Sequence, residues 1–207
     1  MKALYRIVNA LLAAAVFPVA VFLDLIFFRA STSLADAGLM EGISIKFIID
    51  VITGKETFFH DMLLKDTGAG FSWPQALDPV KGQLIATVVF FALALVAALF
   101  IVIWSICSNK RIPVLIASAA GLVSTIVMII CFNSFAAPIV DGTINVVKIF
   151  SSNWLIGLIG NVVAVDHLSM GGVHTGMIML FIALIVWTGA FYLVEMGEPK
   201  EEKPAKK

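Results

Sequence analysis

Residues 83–136 read QLIATVVFFALALVAALFIVIWSIC-SNKR-IPVLIASAAGLVSTIVMIICFNSFA, two long apolar runs joined by the polar tetrapeptide Ser108-Asn109-Lys110-Arg111. A helix rises about 1.5 Å per residue and the hydrocarbon core of a bilayer is about 30 Å thick, so roughly 20 apolar residues cross it. Both runs are long enough, and the linker is short enough to make them an antiparallel pair. Working outward, two more stretches qualify, at 4–28 and 174–194. The sequence therefore predicts an all-α integral membrane protein with four transmembrane helices, at about 4–28, 83–106, 112–136 and 174–194. Punctuation supports those limits. Asp78-Pro79 pairs an N-cap residue with a proline at the first helical position, Pro138 follows the third span, and Gly197-Glu198-Pro199 stops the fourth.

Composition agrees. Of 207 residues, 60% are hydrophobic and only 14% are charged, against about 25% charged in a soluble domain. Too little polar surface exists to coat a soluble enzyme, a secreted disulfide scaffold or a disordered chain. Fourteen basic and fourteen acidic residues balance to zero, and no basic block marks nucleic acid as a partner.

Orientation follows from lysine and arginine, which are retained on the cytoplasmic side. With both termini inside, Lys2, Arg6, Lys110, Arg111, Lys200, Lys203, Lys206 and Lys207 crowd into about 22 residues. Arg29, Lys46, Lys55, Lys65, Lys81 and Lys148 are spread over about 90 residues of outer loop. The expected location is the plasma membrane, multi-pass, with cytoplasmic N- and C-termini. One transmembrane domain fills 1–197, with outer loops at about 29–82 and 137–173, and the charged segment 198–207 is expected to be a disordered tail. A fifth span over 144–165 is disfavoured by Lys148, Ser151, Ser152, Asn153 and Asn161. Cleavage near Ser33-Leu34-Ala35 is disfavoured by the length of the preceding apolar run and by Asp24.

The outer loops are expected to carry short interfacial helices. Segment 40–53 fits two templates. As a helix it sets Lys46 and Asp50 one turn apart; as a strand it alternates Ile43, Ile45, Phe47, Ile49 and Val51 with polar residues. The helix is preferred, because a lone strand beside lipid leaves its backbone unpaired. The apolar run 154–165 is too short to cross and is placed on the surface or as a re-entrant segment.

Candidate chemistry is sparse. Asp24 is the only acid well inside a predicted span and is the candidate ion or proton site, although near the outer end it can also pair with Arg29. His60, Asp61, Asp166, His167 and His174 are the candidates for an outer-face metal site, but their spacing matches no ligand motif and no metal or cofactor is assigned. No nucleophile elbow, zinc-protease motif or phosphate loop is present. Cys107 and Cys131 lie at depths about 30 Å apart on opposing helices, which rules out a bridge between them. Cys107, at a cytoplasmic helix end, is an acylation candidate. Helix packing is assigned to the small-xxx-small pairs Ala10/Ala14, Ala117/Gly121 and Gly172/Gly176.

Span order and the longer first outer loop resemble the claudin layout. The resemblance covers topology and no motif: Trp73 stands without the Gly-Leu-Trp-Cys-Cys pattern, and the tetraspanin Cys-Cys-Gly signature is missing. The expected role is a non-catalytic structural or interaction subunit of a membrane assembly. Its partners would be the lipid bilayer and other membrane proteins or copies of itself, met through the outer loops and small-residue faces. The alternative is a channel or transporter component with a path at an oligomer interface lined by Asp24, Asn133 or Asn161.

Overall fold

The computed structural model describes residues 2–32, 35–53, 55, 75–144 and 163–197. It is mostly helical. Four helices are long and apolar enough to cross a membrane: Ala3–Phe22, Leu77–Cys107, Ile112–Val140 and Gly172–Val194. In chain order the elements are α1 (Lys2–Ala14), α2 (Val16–Phe22), β1 (Asp24–Thr32), β2 (Ala35–Ser44), α3 (Ile45–Ile52), a 3-10 turn (Gln75–Val80), α4 (Lys81–Cys107), α5 (Ile112–Val140), β3 (Val163–Met170) and α6 (Gly172–Gly197).

The first span is one rod with a break. Pro18 has no N–H for the carbonyl of Ala14, and its ring crowds that carbonyl. The interruption at Ala15 falls there, bridged by bonds from Ala15 N to Leu11 O (2.9 Å) and from Val19 N to Ala15 O (3.2 Å).

This span stops at Phe22, short of the expected residue 28. Leu23 is extended (φ −81°, ψ 154°), and the apolar residues that follow belong to β1. The expectation of an all-α chain is corrected here. β1 is the centre of a three-stranded antiparallel sheet ordered β2-β1-β3, so its backbone groups are paired on both sides. Ile26, for example, lies opposite Ile43 on one flank and Met170 on the other. A short apolar run reads alike as helix end or buried strand, and only the partner strands decide.

Segment 40–53 divides between its two templates. It is strand up to Ser44 and helix from Ile45, and the switch is a helix cap: Phe47 N donates to Ser44 Oγ at 3.1 Å. The objection to a lone strand does not apply, because β1 supplies its ladder. In the second long connection β3 occupies 163–170; residues 145–162, with most of the 154–165 run, lie outside the described residues.

The 3-10 turn holds Asp78 and Pro79 just ahead of α4. At the far end of α5, Pro138 sits inside the last turn instead of following it. Gly142 ends that helix at φ 79°, a left-handed conformation that favours glycine. α4 packs on α5, α5 on α6, and α1 on both α4 and α6, which closes the ring. One buried cluster runs through the bundle, with Ala13, Ala98, Ile101, Val173, Met177 and Phe181. A second ties the bundle to the sheet, with Val80, Met128, Phe132, Ile139, Ile144 and Met170. Only 22–28% of each span is buried. Most of the apolar surface therefore faces outward, as lipid requires and water would penalise.

Candidate functional site

Both long connections meet in the sheet, so the polar side chains they carry gather at one end of the bundle. The register of β1 with β3 skips a residue between Arg29/His167 and Ala30/Val165, which leaves Asp166 as the extra residue of a bulge. Its carboxylate lies 3.7 Å from Arg29 Nε, and both side chains are exposed. Arg29 thus turns to Asp166, not to Asp24. His167, itself exposed, has its Nε2 3.0 Å from Ser169 Oγ on the same strand. His174, at the start of α6, bonds the carbonyl of Gly171 through Nδ1. His60 and Asp61 lie outside the described residues. Among the described residues, no three His, Cys, Asp or Glu side chains converge as metal ligands.

Asp24 sits at the joint between helix and sheet, paired in register with Ser44. It is half-buried, with two glycines against it. A β-carbon on Gly171 would lie 2.1 Å from the Asp24 carbonyl oxygen, and one on Gly42 would lie 2.4 Å from its Cγ. Leu25 O accepts from Gly171 N at 2.9 Å, so β1 and the start of α6 are locked together beside Asp24. The residue read as an intramembrane acid is placed beyond the helix, in a strand. Among described residues its carboxylate has no ion pair. Asn133 is exposed on α5; Asn161 lies outside the described residues.

The small residues have distinct places. Gly121 lies beneath the ring of Phe181, and Gly176 beneath Val19, so both serve contacts within this chain. Ala117 is packed against the bundle core. Gly172 faces Leu23 with room for a methyl group. In α1, Ala13 is fully buried, while Ala14 is exposed and Ala10 lines a surface groove.

The opposite end, around the hairpin 108–111, holds a group that sequence reading passed over. Arg6 donates from Nε to the carbonyl of Ser105 (2.8 Å) and from Nη2 to that of Ile106. A cation thereby satisfies the last carbonyls of α4, where the helix dipole is negative. The Arg111 guanidinium stands 5.2 Å from the ring centre of Tyr5 and 5.6 Å from that of Phe191. Phe191 in turn meets Trp187 in a tilted ring pair, centroids 4.7 Å apart. Deeper in, Thr188 donates to Asn9 Oδ1 at 3.2 Å, with both residues fully buried. Asn9 escaped notice because one amide carries no charge and α1 is strongly apolar around it.

Two carboxylates, the half-buried Asp50 and the exposed Asp141, are acidified. The hydrogen bond from Lys46 (2.9 Å), then the charges of Lys46 and Lys55, hold Asp50 below its ordinary value. Hydrogen bonds from Thr143 do the same for Asp141 just past α5. Both are local helix-end arrangements.

No protein-family model, curated protein or solved structure matches the chain.

Proposed function

We propose that the chain is a non-catalytic subunit of a plasma-membrane protein assembly. It crosses four times with both termini cytoplasmic and meets its partners through the extracytoplasmic sheet. The observation that carries this reading is the joining of the two long connections in one sheet, ordered β2-β1-β3. A sheet resting on a helical bundle is a rigid support for protein contacts. The lysine and arginine distribution supports the orientation, since the hairpin holding Lys110 and Arg111 lies at the end away from the sheet. Gly121 and Gly176 are engaged inside the chain, so of the two surfaces expected to bind partners the sheet is the better supported.

The test is site-specific photo-crosslinking in native membranes. Probes at His167 and Asp166 are expected to give discrete protein adducts, and a probe at Val96 on the outer face of α4 to give only lipid adducts. Equal protein adducts at all three positions, or none at the sheet, would overturn the reading.

A further inference from the structure

A surface groove of about 240 Å³ runs between α1 and α4 at the hairpin end, lined by Ala3, Arg6, Ile7, Ala10, Ser105 and Ile106. From this groove we infer a binding site for an anionic phospholipid, with an acyl chain along the apolar wall and the phosphate at Arg6. The inference rests on the membrane-spanning reading of the helices.

Three observations support it. First, Ile7 and Ile106 are exposed beside the groove, so its open side faces what surrounds the bundle, which in a membrane is acyl chain. Second, the lining contains one charge, a cation, and no acid. Arg6 spends Nε and Nη2 on α4 carbonyls, and among the described residues no acceptor meets Nη1. Held in place by two bonds, the guanidinium keeps a free edge for a phosphate oxygen. Third, Ser105 lines the groove at 1% exposure and its hydroxyl has no partner. A buried hydroxyl without a partner is unfavourable, and a lipid oxygen would accept from it once the side chain turns into the groove. A soluble anion would leave the apolar wall bare, and a neutral lipid would leave the guanidinium edge unused.

Native mass spectrometry of the full chain in mild detergent tests this, using phosphatidylglycerol and phosphatidylcholine with identical acyl chains. The wild type is expected to retain phosphatidylglycerol at least tenfold better. Arg6→Gln should bring the two lipids level, while Arg6→Lys should keep part of the preference. Ala10→Leu, which fills the wall and leaves the charge, should weaken both lipids severalfold; it decides the matter should Arg6→Gln fail to fold. Millimolar glycerol phosphate should not displace the lipid. Equal retention of both lipids by the wild type, an unchanged Arg6→Gln protein, displacement by glycerol phosphate, or an equal loss in Lys110→Gln would each overturn the site. None of these results bears on the sheet-end crosslinks.

Discussion

Phe181 of α6 occupies the space that a side chain at Gly121 of α5 would need: a β-carbon there would lie 2.3 Å from Phe181 Cε1. Ring and glycine are both buried, so neither has somewhere to move. Gly121→Ala should cost about 1–3 kcal/mol, as overpacking usually does. Thermal unfolding in detergent reads the loss. Adding Phe181→Leu should recover part of it, and an unchanged melting point in the single variant would show that the contact is loose.

The two glycines beside Asp24 should differ in severity. At Gly171 an added β-carbon meets the Asp24 carbonyl oxygen, which is backbone and fixed by the strand; at Gly42 it meets the carboxylate, which can swing away. Gly171→Ala should therefore abolish folded protein, or nearly so, while Gly42→Ala gives a milder drop. Detergent-extracted yield and monodispersity rank the two. The reverse order would refute this account of the joint.

Inside the bundle, Thr188→Val removes the donor to Asn9 Oδ1 at nearly constant volume. Hydrogen bonds between membrane helices average about 0.6 kcal/mol and reach about 1.7 kcal/mol, so a loss in that range is expected. A double-mutant cycle with Asn9→Leu isolates it, and zero coupling energy would mean the pair contributes nothing.

Asp50 offers a pH readout at the sheet end. Its carboxyl is held below its ordinary value by Lys46 and Lys55, so the ion pair supports α3 above that range and is lost as pH falls through the lowered value. In Lys46→Gln the titration of Asp50, followed by NMR, should move up toward 3.8. No movement would mean the 2.9 Å contact is not populated.

The spans were legible because hydrophobic length is a one-dimensional quantity: Ile112 starts its helix where the sequence placed it. The sheet was not, because strand pairing links residues far apart in sequence. Nothing near Phe28 announces that Leu168 will lie opposite it. The apolar residues 25–28 therefore read as the continuation of a helix, and Asp24 as an acid within it. Segment 40–53 fits both templates because it contains both, divided at Ser44. Contacts such as those of Arg6 and Arg111 were likewise hidden, since a basic residue near a span end reads only as an orientation signal.

The arrangement of the two ends across the membrane is the claim from which the proposed role derives. It is tested by impermeant maleimide labelling of intact cells in a background lacking Cys107 and Cys131. A cysteine at His167 should react from outside, and one at Asn109 should react only after permeabilisation. Labelling at position 109 in sealed cells, with 167 protected, would contradict the account.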